Sequence, residues 1–212
     1  NPPSSQRPRR LQSSGASAET VFSVVGIGAS AGGLEAVTHL LKALPPDFGM
    51  AVVLIQHLDP THESALSILL SRVTLMPVVE ARHRLKVKPG HVYIIPPNKK
   101  MGISRGVLRV IARDADHRLP SAVDFFFHDL AVDFGARAIG IILSGTGMDG
   151  TRGIQEIKSA GGVTFAQDES SAKYSGMPVS AGSTGCVDHV MPPEAMAAEL
   201  VRLEKEQRMG TV

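Results

Sequence analysis

The chain has 212 residues, 43% of them hydrophobic, with 22 basic and 20 acidic side chains and a net charge of +2. Such a length and apolar content support one sizeable domain or two small ones with a buried core. The near balance of charge gives no signal for nucleic acid, the single cysteine, Cys186, excludes an intrachain disulfide and suits a reducing compartment, and no apolar run approaches the roughly 20 residues of a membrane span.

Residues 1–20 are rich in Pro, Ser and Arg and nearly free of large apolar side chains. They cannot bury enough surface to offset their ordering entropy, so a disordered tail or linker is expected there. A folded domain is expected over 21–207, with a second short tail at 208–212. Asn1 stands where an initiator methionine would, the expectation for a processed product or a piece of a longer chain; no signal peptide opens it, which points to a soluble cytoplasmic protein.

Val21 to Val25 reads as a first strand, the glycine-rich Gly28-Ala29-Ser30-Ala31-Gly32 as a sharp turn, and Leu34 to Leu44 as a helix. A second strand, Ala51 to Ile55, ends in Gln56-His57-Leu58. A helix is expected over Thr61 to Arg72 with Leu66, Leu69 and Leu70 on one face. Short strands follow at Val78-Val79 and Val92 to Ile95, then a hairpin of Met101 to Ser104 and Val107 to Val110 around Arg105-Gly106. Ser121 to Phe134 reads as a helix opened by a capping-box-like Ser121 and Asp124. Strand Ala138 to Leu143, a glycine-rich loop, helix Thr151 to Ala160, strand Val163 to Ala166 and a closing helix from Pro193 to about Gln207 complete the pattern. This alternation predicts an α/β fold: a doubly wound, mostly parallel, Rossmann-like sheet with helices on both faces, plus a small β-hairpin.

Ligands of such sheets sit beyond the carboxyl ends of the strands. Three loops there carry polar chemistry: Ser30 in its glycine turn, His57 after the second strand, and Asp149 in Ser144-Gly145-Thr146-Gly147-Met148-Asp149-Gly150. A serine between strand and helix can act as a nucleophile, given a base and a carboxylate to orient that base. The bland alternatives are a helix cap at Ser30, a hydrogen-bonded loop histidine, and Asp149 capping the helix Thr151 to Ala160. Gly26 to Ala31 also fits a dinucleotide fingerprint, but His57 stands where the ribose-binding acid belongs. His62 lacks the companions of a metal site and reads as solvent-facing.

Gly28 to Gly33, Gln56-His57, Gly145 to Gly150, Gln167-Asp168-Glu169 and Gly176-Met177-Pro178 together resemble the catalytic domain of the chemotaxis protein-glutamate methylesterases, CheB. The likeness runs from about Val21 to Leu203 and is strongest to the branch found in methylesterase and methyltransferase fusions. It implies hydrolysis of glutamate γ-methyl esters on the cytoplasmic helices of methylated chemoreceptors, with glutamine deamidation in many members. Ser30, His57 and Asp149 fall on the catalytic serine, histidine and aspartate. Ala31 and Thr146 are the candidate backbone oxyanion donors, and neither metal nor cofactor is required. Ala31 stands where the family often has Thr, and Thr146 where it commonly has Met. A fused or separate receiver or methyltransferase domain is the further partner implied; no receiver sequence lies within these residues. A docking module that keeps the fold without turnover is the alternative.

Overall fold

Val24 and Val25 are both fully buried, yet they belong to different cores. Successive side chains of a strand point to opposite faces, so a strand apolar on both sides must be covered on both sides. The computed structural model, which describes residues 22–56, 65–112 and 121–210, shows that arrangement.

In chain order the elements are β1 (Val24–Ala29), α1 (Gly33–Ala43), β2 (Ala51–Gln56), α2 (Ala65–Ser71), β3 (Val78–Glu80), β4 (Leu85–Lys86), β5 (Val92–Ile94), β6 (Lys99–Ser104) and β7 (Val107–Ala112). After them come α3 (Ala122–Phe134), β8 (Ala138–Ile142), α4 (Thr151–Ser159), β9 (Val163–Gln167), α5 (Gly176–Gly182), β10 (His189–Met191) and α6 (Pro193–Met209). Seven strands form a sheet ordered β10-β9-β8-β1-β2-β5-β3, parallel at every pairing. Phe126, Phe127, Leu130, Ile154 and Ile157 cover one face, while Val37, Leu40, Leu41, Met196 and Leu200 cover the other.

Beside this sheet, β4, β7 and β6 make a three-stranded antiparallel sheet, so the expected hairpin gains a partner strand. Its turn places Arg105 and Gly106 at φ of 51° and 68°. Two left-handed residues match the strand twist of a tight hairpin, and the Asp133 carboxylate of α3 accepts both of their N–H groups.

Several elements differ from the sequence expectation. β1 begins at Val24 and runs through Gly26 and Gly28 to Ala29, because those glycines are strand positions beneath α3. A Cβ at Gly28 would lie 2.4 Å from Val123, and one at Gly26 would lie 2.9 Å from Leu130. Their absence lets α3 settle directly on the strand. Leu66 and Leu70 are buried, but Leu69 is 42% exposed and faces outward. Met209 ends α6, so Arg208 and Met209 belong to the helix rather than to a tail. α5, β4 and β10 carry no periodic signal, being short or, in α5, built from two glycines and a proline. Among the described residues, no helix is long and apolar enough to cross a membrane.

Candidate active site

Strand order reverses at β1. The chain moves from β1 to β2 on one side, while β8 and β9 lie on the other. A crevice opens at such a point beyond the strand ends, and here it is bordered by the loops after β1 and β8.

Ser30 is half-buried and directly follows β1. Its N–H donates to the Ser144 carbonyl at 3.0 Å, and its own carbonyl accepts the Gly33 N–H at 2.9 Å. Gly32, at φ 72°, turns the chain into α1, whose N-terminus has no side-chain cap. The helix end thus offers partial positive charge beside the serine.

The loop from Ser144 to Gly150 approaches Ser30 closely. A Cβ on Gly145 would lie 3.0 Å from the Ser30 Cβ and 2.2 Å from the Met177 sulfur, so only glycine fits between them. The Gly145 N–H donates to the Tyr174 carbonyl, and the Gly145 carbonyl accepts the Met177 N–H, both at 2.9 Å. Exposed Met148, Tyr174 and Val179 give this region an apolar rim.

Asp149 does not cap α4, the helix it precedes. Its carboxylate accepts the N–H groups of Val123 at 3.2 Å and Asp124 at 3.1 Å, in the first turn of α3, together with the Ser121 hydroxyl. α4 is capped instead by Asp124, whose Oδ1 accepts the Gly153 N–H at 2.8 Å. Ser121 and Asp124 therefore form no capping box: the Ser121 hydroxyl turns to the two carboxylates, and Asp124 turns to the other helix. Burial pushes the Asp124 carboxyl up from its ordinary range, the Gly153 N–H opposes that shift, and the neighbouring Asp149 charge adds to it.

Asp149 is thereby fixed to Val123, the residue that fills the space over Gly28, two positions before Ser30. β2 ends at Gln56, in register with Ala29. His57 and His62 lie outside the described residues. Ser144 and Gln167 both lie in segments marked in the sequence, but without an assigned role; in the fold the Gln167 Oε1 accepts the Ser144 N–H at 2.8 Å.

Residues 25–200 match the family model described as CheB methylesterase. The chain belongs to the CheB methylesterase family. It is 36% identical over 186 residues to protein-glutamate methylesterase/protein-glutamine glutaminase 2 of Burkholderia pseudomallei (strain 1710b), covering 87% of this chain and 54% of the relative. Protein-glutamate methylesterase/protein-glutamine glutaminase 3 of Burkholderia lata is 38% identical over 179 residues, covering 82% of this chain and 49% of the relative. The chain thus spans about half the length of these curated relatives. Among solved structures, the Thermotoga maritima CheB methylesterase catalytic domain superposes with a TM-score of 0.80 at 31% identity, covering 86% of this chain and 99% of that one.

Proposed function

We propose that this chain is a protein-glutamate methylesterase acting through a Ser30-His57-Asp149 triad on methylated chemoreceptor helices. The observation that carries the reading is Ser30 at the end of β1, packed against Gly145 where the strand order reverses, in a chain of the CheB family.

In the proposed reaction His57 takes the Ser30 hydroxyl proton as Oγ bonds to the ester carbonyl carbon. Asp149 accepts the other imidazole N–H and stabilises the imidazolium. Negative charge develops on the carbonyl oxygen, where the N–H groups of Ala31 and Thr146 are the candidate donors. Neither N–H meets a hydrogen-bonding partner among the described residues, and one such donor contributes about 3 kcal/mol to the transition state. Collapse breaks the bond to methoxide, which leaves as methanol with the proton from His57. Water then gives a proton to His57 and its hydroxyl to the acyl carbon, releasing Ser30 and a glutamate carboxylate. A glutamine side chain entering the same site would lose its amide nitrogen as ammonia, with the proton from His57, and the acyl-enzyme would be hydrolysed to glutamate by the same steps.

The rim of Met148, Tyr174 and Val179 suits a helical protein substrate better than a small ester. A chemoreceptor's cytoplasmic helices would place the enzyme in the cytoplasm, and a fused or separate receiver or methyltransferase domain would be its regulatory neighbour. The test is methanol release from a methyl-labelled chemoreceptor by the wild type and by Ser30→Ala. Release lost in Ser30→Ala supports the mechanism, and equal release removes Ser30 from it. Receptor binding with no release by the wild type would favour a docking module.

A further inference from the structure

We infer that Ser144 is a positioning residue for the nucleophile, holding the Ser30-Ala31 turn from the loop that follows the adjacent strand β8; the inference rests on the Ser30 reading above.

Ser144 is only 1% exposed, and each of its polar groups is engaged. Its carbonyl accepts the Ser30 N–H at 3.0 Å. Its hydroxyl donates to the Ala31 carbonyl at 2.9 Å and accepts the Tyr174 N–H at 3.0 Å. Its N–H donates to Gln167, which is itself buried and whose amide nitrogen donates to the Ser171 carbonyl at 3.0 Å. One residue thus bonds to the turn on both sides of the nucleophile's following peptide and ties it to the segment from 167 to 174.

The consequence lies in peptide geometry. The Ser30 carbonyl points to the Gly33 N–H in the first turn of α1. In a planar trans peptide the next N–H points the opposite way, so the Ala31 N–H is directed away from that helix. The Ser144 hydroxyl then fixes the following peptide through the Ala31 carbonyl, leaving the Ala31 N–H little freedom to rotate. Gly32 makes room for this hydroxyl, since a Cβ there would sit 2.7 Å from the Ser144 Oγ. With its hydroxyl proton donated to Ala31, an N–H of Tyr174 on its oxygen and only 1% of its surface exposed, Ser144 is not a second nucleophile. Its role is exerted through Ser30 and Ala31.

The test compares wild type with Ser144→Ala, Ser144→Thr and Ser144→Cys, each checked by thermal melting. Two rates are read: methanol release from a methylated chemoreceptor, and labelling of Ser30 by an aryl fluorophosphonate followed by intact mass. Displacement of the turn in Ser144→Ala should lower kcat and slow labelling roughly 10- to 100-fold, with KM changed less than about twofold. Ser144→Thr keeps the hydroxyl and should restore both rates to near wild type. Ser144→Cys keeps the volume but donates poorly and should behave like Ser144→Ala, carrying the test if the alanine variant fails to fold. Wild-type rates in a folded Ser144→Ala or Ser144→Cys protein would overturn the inference while leaving the Ser30 reading intact. So would a Ser144→Thr protein that melts like wild type yet is as slow as the alanine variant. A wild type that neither labels at Ser30 nor releases methanol would overturn both.

Discussion

Asp124 and Asp149 each cap the other's helix. Asp149, on the loop leading into α4, accepts two N–H groups of α3, and Asp124, in the first turn of α3, accepts the Gly153 N–H of α4. The exchange locks two parallel elements at the end where the crevice opens. It also holds the Asp149 carboxylate at the positive end of a helix, where its charge is favoured.

Asp149→Ala removes the acceptor of two helical N–H groups and the Ser121 hydroxyl. Loss of that cap should lower stability by about 1–2 kcal/mol. Loss of the carboxylate of the proposed triad should reduce kcat by about ten-thousandfold. Asp149→Asn, which keeps an acceptor oxygen, should recover most of the stability and little of the activity. Chemical denaturation and methanol release on both variants separate the two roles; equal recovery of both would mean that Asp149 acts only as a cap.

Asp124 predicts a pH-dependent contribution to stability. Burial, with the Asp149 charge adding to it, raises its carboxyl pKa above the ordinary 3.8. A carboxyl raised in the fold favours the native state while protonated. That contribution is complete below 3.8 and is lost as pH rises through the elevated folded value. Asp124→Asn lacks this loss, so its stability relative to wild type should increase with pH. Melts of both proteins between about pH 3 and pH 7 check the sign, and a difference constant with pH would contradict it.

Gly145→Ala forces a methyl group into the space between Ser30 and the fully buried Met177. Overpacking there should cost about 1–3 kcal/mol. Because the displaced loop carries Thr146 and Asp149, turnover should fall in molecules that remain folded. Melting and single-turnover rates measure the two effects; an unchanged rate would place the loop's approach outside the mechanism.

Neutral His57 as the base predicts that the rate rises with pH through an apparent pKa near the ordinary histidine value of about 6.5. The acid limb of the kcat/KM profile measures it. A flat profile from about pH 5 to pH 9 would remove His57 from that role.

The local pattern of this chain was enough to mark β2 and β8, each to within one residue of its end, the helices over them, and the glycine turn around Ser30. Strand alternation, helical periodicity and glycine punctuation are properties of neighbouring residues, so they are legible without the fold. The boundaries of β1 were not, because whether Gly26 and Gly28 end a strand or lie beneath a helix depends on α3, about a hundred residues later in the chain. Ser121 and Asp124 had the spacing of a capping box, yet their partners are a carboxylate and an N–H group that the α3-α4 packing brings close.

The sequence by itself determined the layered α/β architecture and the chemical types at the strand ends, since both follow from side-chain periodicity and glycine placement. Only the tertiary structure decided how the site is held: Asp149 on the end of α3, Gly145 against Ser30, and Ser144 bonded to Ala31 from 113 residues away. Those contacts depend on which backbone groups are left without a partner when distant segments meet, and that is settled by packing rather than by any local run of residues.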